Sequence, residues 1–184
     1  MMKRVFFLIG FAFLNLIAGA QDSAYEKTLN TFIEDVFGKE WFQEKKLAAD
    51  NLSDYAISKI ISSVQQYKTK SKLRVNDSTV IDTLLTFLSS SELKLLNEEL
   101  NEKGKAWLTS RFKNIVIVKT GTSDLGSSPI VFNYSKPFFF RNNNFCLFYK
   151  SDYCGKMCGS RELAIYKKEK GKWVLYGYLF KGMK

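Results

Sequence analysis

Residues 145–180 have the sequence FCLFYKSDYCGKMCGSRELAIYKKEKGKWVLYGYLF. It contains three segments rich in aromatic and aliphatic side chains, Phe145 to Tyr153, Leu163 to Lys168 and Trp173 to Phe180. The connection between the last two, Glu169 to Lys172, is short and contains a glycine, as hairpin turns do. Consecutive strands with such short connections predict an antiparallel meander.

Further strand segments precede this stretch and extend the predicted sheet over residues 111–181. Ile115 to Val118 is a β-branched run, and Phe138 to Phe140 leads into a turn at Arg141 to Asn144. Pro129 and Pro137 mark the ends of segments, because proline cannot donate a hydrogen bond to a strand ladder.

Residues 21–104 carry helical periodicity instead. Apolar residues recur every three or four positions in four stretches. The first begins near Ser23, the second near Ser53, the third near Asp77 or Ser78, and the fourth near Ser89. The first and last of these stretches start with the spacing of a capping box, Ser followed by Glu three residues later. The last predicted helix stops at Gly104. The sequence therefore predicts one α+β domain over residues 21–184, with N-terminal helices packed on one face of a C-terminal antiparallel β-meander.

The first 20 residues have the pattern of a cleavable secretory signal peptide. Lys3 and Arg4 precede an apolar run from Val5 to Ala18, and Ala18-Gly19-Ala20 supplies small residues before Gln21. The run is shorter than the roughly 20 apolar residues that a membrane-spanning helix needs. We therefore expect export to the periplasm or the medium, and no membrane span after cleavage.

Positive charge is concentrated in the predicted sheet. The chain carries a net charge of +10, and residues 101–184 contain 16 basic and 5 acidic side chains. One interpretation is that these residues bind an anionic envelope component or an acidic protein. The alternative is that scattered lysines keep exposed sheet edges from pairing between molecules. The candidate contacts are the lysines around the last predicted turn: Lys167, Lys168, Lys170 and Lys172.

The cysteines suggest one disulfide. Cys146 and Cys154 lie eight residues apart, about 26 Å along a strand, which is too far for a disulfide bond. Cys154 and Cys158 share a loop, so they are the natural pair in an oxidising compartment. The pair would fix the tip of a hairpin, and Gly155 and Gly159 beside it predict backbone angles that a residue with a side chain would not tolerate. Cys146 is interpreted as a buried small apolar residue.

Catalytic chemistry is poorly supported. The chain contains no histidine, which excludes Ser-His-acid triads, Cys-His dyads and zinc sites that use histidine. Three thiols are too few for the usual four zinc ligands, so we expect no metal and no cofactor. A carboxylate dyad assembled from distant residues stays open, because such a pair needs only spatial proximity.

A resemblance follows from the C-terminal motifs. The chain resembles a module of small exported bacterial proteins of unknown function in five segments: Ser135-Lys136-Pro137, Tyr153-Cys154-Gly155, Cys158-Gly159, Leu163 to Lys168 and Gly171-Lys172-Trp173. The resemblance covers roughly 40 residues and implies export and a disulfide at a hairpin tip. It implies no activity, no cofactor and no catalytic residue.

Two classes of function remain after this reasoning. The sequence favours a non-enzymatic binding or accessory module in the periplasm or outside the cell, with nucleic acid not expected as its partner. The alternative is a small hydrolase of cell-envelope polymers that uses carboxylates. The oligomeric state does not follow from the sequence.

Overall fold

The computed structural model describes residues 24–38, 46–49, 52–70, 72–75, 78–81, 88–101, 112, 114–119, 130–154 and 159–183. Its helices are α1 over residues 24–37, α2 (Asp54–Lys70) and α3 (Ser90–Asn101). Its strands are β1 (Lys46–Ala49), β2 (Lys72–Val75), β3 (Ser78–Ile81), β4 (Ile115–Val118), β5 (Val131–Tyr134), β6 (Phe138–Phe140), β7 (Phe145–Tyr153), β8 (Ser160–Glu169) and β9 (Lys172–Met183). The class is α+β. None of the helices in the described ranges is long and apolar enough to cross a membrane.

The described strands form one mixed sheet. Their order is β3-β2-β9-β8-β7-β5-β1-β4, and β6 also pairs with β7. Strands β7, β8 and β9 pair antiparallel as consecutive neighbours, as the sequence predicts. Strand β1, in contrast, runs parallel to both β4 and β5. The prediction of a purely antiparallel sheet is therefore wrong, because a strand from the N-terminal half enters the sheet.

Three of the described strands lie inside residues 21–104, which the sequence predicts to be helical. β1 is one of them, and β2 and β3 form an antiparallel hairpin in which Val75 lies opposite Ser78. The helix predicted to begin near Asp77 or Ser78 is wrong at its start, since Ser78–Ile81 is a strand. Its run of Thr, Val and Ile suits a pleated strand better than a helix, because β-branched side chains are restricted in helices. Residues 82–87, the rest of that predicted helix, lie outside the described residues.

The helices cover both faces of the sheet, not one. Successive side chains of a strand point to opposite faces. Along β7 and β8, Cys146, Phe148, Ala164 and Tyr166 join a buried cluster with α1. The alternate residues Leu147, Tyr149, Leu163 and Ile165 join a second cluster with α2 and α3. The prediction of helices on a single face is wrong, because β7 and β8 are apolar on both faces.

Phe32 is the centre of the cluster beneath α1. Its side chain is 0% exposed. Its ring meets the rings of four sheet residues edge-on, with centroids 5.2 to 5.7 Å apart, at Phe139, Phe148, Tyr166 and Trp173. Such edge-to-face pairs add stability beyond area burial, so they fix the position of α1 on the sheet.

Serine caps start the two helices on the other face. Ser53 Oγ accepts a hydrogen bond from Ala56 N at 3.2 Å ahead of α2. Ahead of α3, Glu92 N donates to Ser89 Oγ at 3.2 Å, and Ser89 N donates to Glu92 Oε2 at 2.7 Å. This reciprocal pair confirms the capping box predicted at Ser89. Ser23, the predicted cap of α1, and Gly104, the predicted stop of α3, lie outside the described residues.

Candidate functional site

The turn between β8 and β9 holds the predicted lysines at one end of the sheet. Lys170 and Gly171 form a two-residue connection with φ angles of 50° and 83°. Positive φ at both central residues is the requirement of a type I′ hairpin turn, which matches the twist of the flanking strands. The turn predicted at Glu169 to Lys172 is confirmed, since Glu169 pairs directly with Lys172.

A second turn lies beside it and adds a cation. Between β6 and β7, Arg141, Asn142 and Asn143 have φ angles of 51°, 54° and 59°. Lys168 N donates to Asn144 O at 2.9 Å, which joins the two turns. We call the resulting cluster the basic end of the sheet, defined as Arg141, Lys167, Lys168, Lys170 and Lys172.

Arg141 was not predicted to join the lysines, because this residue lies 26 positions before Lys167. A signal was present in Arg141-Asn142-Asn143-Asn144, since asparagine tolerates the left-handed conformation that a tight turn needs. The turn at Arg141 to Asn144 was predicted, but its position beside the turn between β8 and β9 was not.

Several side chains of the basic end lie against aromatic rings. Lys168 Nζ is 5.8 Å from the centre of the Trp173 ring, and Arg141 is 5.7 Å from that of Phe145. Lys167 forms an ion pair with Glu169 at 3.2 Å between Nζ and Oε1. These aromatic contacts hold the Lys168 and Arg141 side chains in position at this end of the sheet.

The position of β8 in the sheet tests the alternative role of these lysines, which is to protect exposed sheet edges. β8 is an interior strand, hydrogen-bonded to β7 on one side and to β9 on the other. Lys167 and Lys168 therefore do not lie on an edge strand. Edge protection does not explain them, although edge strands commonly use lysine for that purpose.

The predicted disulfide lies only partly inside the described residues. Cys154 directly follows β7 and Gly159 directly precedes β8, whereas Cys158 lies outside the described ranges. The Cys154–Cys158 pair therefore stays a prediction. The expectation for Gly159 is confirmed: its φ is 139°, and a Cβ there would lie 2.5 Å from the carbonyl oxygen of Asp152.

Cys146 is a free and fully buried thiol in β7. Burial raises the pKa of this thiol well above its usual range, and the negative charge of Glu99 adds to the rise. A thiol held in the neutral form is a poor nucleophile. This confirms the interpretation of Cys146 as a small apolar residue of the core.

A cleft of about 280 Å³ lies at the opposite end of β7 and β8, beside the C-terminal end of α1. We call it the α1 cleft. Its apolar wall consists of Val36 and Phe37 from α1 and Phe132 and Tyr134 from β5. Its polar wall is formed by side chains of β7 and β8: Lys150, Asp152, Ser160 and Glu162.

The polar groups of the α1 cleft bond to one another. Lys150 Nζ lies 3.0 Å from Glu162 Oε1, and Glu162 is nine-tenths buried. Ser160 N donates to Asp152 Oδ2 at 3.2 Å, and Ser160 Oγ bonds Asp152 Oδ1. Burial and the charge of Asp152 together raise the pKa of Tyr134. The Tyr134 phenol is therefore neutral at every physiological pH.

A shallower groove of about 440 Å³ lies between α2 and α3. Its polar lining is mostly amide and hydroxyl, for example Ser58, Asn97 and Asn101. Asp54 is the charged residue of that lining. Among the described residues, no group of three His, Cys, Asp or Glu side chains could hold a metal ion.

Comparison with known proteins finds no matching family model, no matching curated protein and no matching solved structure. The functional argument therefore depends on the residues and their geometry.

Proposed function

We propose that the protein is an exported, non-enzymatic binding module whose basic end contacts an anionic envelope component or an acidic protein. The observation that carries the proposal is the meeting of the two turns, which places five cationic residues at one end of the sheet. Within the described residues, Glu169 pairs with one of them, Lys167. Clustered cations attract anionic partners over about a Debye length, which scattered charges do less well.

Rigidity supports the same proposal. Lys170 lies in a tight turn, and the flanking lysines belong to paired strands, so their backbone is already ordered before binding. A preorganised contact loses less conformational entropy when a partner binds. The partner is expected to be an extended or flat anionic surface, because residues 169–172 of the basic end form an exposed turn.

The proposal of export rests on residues 1–20, which lie outside the described residues. A basic pair, an apolar run and small residues before Gln21 support cleavage there. We accordingly place the working protein, residues 21–184, in the periplasm or the medium as one domain. The disulfide proposed between Cys154 and Cys158 belongs to the same environment.

The experiment that tests binding compares three proteins on heparin and lipopolysaccharide columns at increasing salt. The basic-end variant carries Lys167→Gln, Lys168→Gln, Lys170→Asn and Lys172→Gln. Asparagine is chosen at the turn because it tolerates the positive φ found there. The control variant removes the same charge elsewhere on the surface through Lys27→Gln, Lys59→Gln, Lys94→Gln and Lys119→Gln.

The proposal expects the wild type and the control variant to be retained at physiological salt, and the basic-end variant to elute first. Elution of both variants at the same salt would mean that total charge, and not this cluster, determines retention. Flow-through of all three proteins, with aggregation of the basic-end variant alone, would favour edge protection instead.

A small hydrolase is the second candidate, because the α1 cleft holds two carboxylates. Lys150 lies opposite Glu162 in the register of β7 and β8, so Asp152, two residues farther along β7, is a diagonal neighbour of Glu162. The backbone positions of such neighbours are roughly 7–8 Å apart, so their carboxylates lie on one face as a hydrolase pair requires. Here, however, Glu162 bonds Lys150, and both oxygens of Asp152 bond Ser160. The carboxylates are held by the protein, which favours the binding module.

A further inference from the structure

The α1 cleft is separate from the basic end. The two lie at opposite ends of β8, since six residues separate Glu162 from Lys168, roughly 20 Å at the rise of a strand. A ligand of the cleft would therefore not contact the lysines of the basic end. The cleft needs an explanation of its own.

The apolar wall of the cleft is built from ordered aromatic rings. The Phe132 and Tyr134 rings stack with centroids 5.9 Å apart and an angle of 6° between their planes. Tyr134 stacks in turn on the buried ring of Phe148 at 6.0 Å. Phe37, from the last turn of α1, meets the Tyr134 ring edge-on at 5.7 Å. These contacts hold the rings in place before any ligand arrives.

The polar wall is acidic, although the protein is basic. The charged residues of the lining are Asp152, Glu162 and Lys150, so the lining carries one more negative than positive charge. Lys181 lies opposite Glu162 on β9, and its Nζ is 4.9 Å from the centre of the Tyr178 ring. The hydrogen bonds that the structure gives Asp152 come from Ser160, which is neutral. The charge of Asp152 is therefore not balanced by these contacts.

We propose that the α1 cleft binds a small organic cation, a protonated amine on an aromatic or aliphatic body. The ammonium group would pair with the Asp152 carboxylate, and the body would lie against Phe37 and Phe132. Aromatic rings beside a carboxylate favour a cation, because the face of a ring attracts positive charge. The cleft is smaller than the roughly 300–1,000 Å³ typical of pockets for drug-sized ligands, so the ligand is small.

The test measures binding of three probes of nearly equal shape by isothermal titration calorimetry: 2-phenylethylamine, 2-phenylethanol and 3-phenylpropanoate. The proposal expects the amine to bind at least about tenfold more tightly than the alcohol, since a hydrogen bond to a charged group contributes about 1.5–3 kcal/mol. The propanoate should bind more weakly than the alcohol, because its charge has the same sign as that of Asp152.

Two variants locate the binding. Asp152→Asn keeps an oxygen that can accept from Ser160 but removes the charge, so it should weaken amine binding about tenfold and leave the alcohol unchanged. Glu169→Gln is the matched control, because it removes one carboxylate at the other end of β8 and should leave amine binding unchanged.

The comparison of probes on the wild-type protein needs no variant, so the test survives if Asp152→Asn does not fold. Equal binding of amine and alcohol, or no binding of any probe, would overturn the proposal. Equal weakening by Asp152→Asn and Glu169→Gln would place the amine elsewhere and overturn it too.

Discussion

An added methyl group at Gly159 should perturb the structure more than one at Gly38, Gly171 or Gly182. Gly159 directly precedes β8, has a φ of 139°, and a Cβ there would lie 2.5 Å from the carbonyl oxygen of Asp152. That oxygen belongs to the backbone of β7, so it cannot move aside as a flexible side chain could. We predict that Gly159→Ala destabilises the protein, through both backbone strain and steric overlap.

Alanine substitutions at two other glycines separate the loss of stability into its two causes, backbone strain and steric overlap. Gly182 has no atom within 4 Å of an added Cβ and no positive φ, so Gly182→Ala should change stability by less than about 0.5 kcal/mol. Gly171 has equally open space but a φ of 83°, so Gly171→Ala should cost about 1–2 kcal/mol from conformation alone. Gly159→Ala adds overpacking to such strain, for a total of about 2–5 kcal/mol.

The assay is urea unfolding of the oxidised protein, followed by tryptophan fluorescence, for the wild type and the three alanine variants. The expected order of unfolding midpoints is Gly182→Ala above Gly171→Ala above Gly159→Ala. Equal midpoints for Gly159→Ala and Gly182→Ala would refute the reasoning, because they would show that the close approach between residue 159 and Asp152 does not exist in solution.

Three further predictions concern processing, thiols and alkaline stability. Mass spectrometry of the native protein should show a chain that begins at Gln21 or within about two residues of it; retention of residues 1–20 would exclude cleavage. Under denaturing, non-reducing conditions a maleimide should label one thiol, Cys146, and after reduction three, whereas a crosslink that contains Cys146 would contradict its position in the core. The pKa of Tyr134 is raised above its usual value of 10, so the folded state keeps this proton longer than the unfolded state does. Its stabilising contribution is complete below pH 10 and is lost as the pH rises further. Denaturant titrations above pH 10 should therefore show that the free energy of unfolding falls less steeply with pH in Tyr134→Phe than in the wild type. An unchanged dependence on pH would count against burial of the phenol.

The C-terminal strands could be predicted because their signals are local. The apolar run of β7 and the glycine-containing turn before Trp173 specify a strand and a hairpin from neighbouring residues alone. The Ser89 capping box is local in the same sense, and its hydrogen bonds are present. For these elements, sequence periodicity and turn chemistry contain nearly all of the required information.

Strand β1 could not be predicted in this way. It is only four residues long, Lys46–Ala49, and its two alanines are common in helices. It becomes a strand because β4 and β5 pair with it on both sides, and these partners are at least 65 residues away in sequence. Contacts so remote override local propensity.

The faces of the sheet were misassigned for a related reason. An apolar run such as Phe145 to Tyr149 is compatible with a strand covered on both sides, but the sequence analysis placed all helices on one side. The contacts of Phe32 with one face and of Ile60 with the other correct this. The same nonlocality hid Arg141 and the α1 cleft, whose walls come from α1, β5, β7 and β8.

We propose that the basic end binds an anionic partner. This proposal is tested by the salt dependence of binding to a defined anionic probe. The dissociation constant of a heparin oligosaccharide should be measured at several salt concentrations for the wild type, the basic-end variant and the control variant. A contact made by the clustered cations predicts a steep loss of affinity with salt in the wild type and the control variant, and a clearly shallower one in the basic-end variant. Equal slopes in both variants, or no measurable binding by the wild type at low salt, would contradict the account.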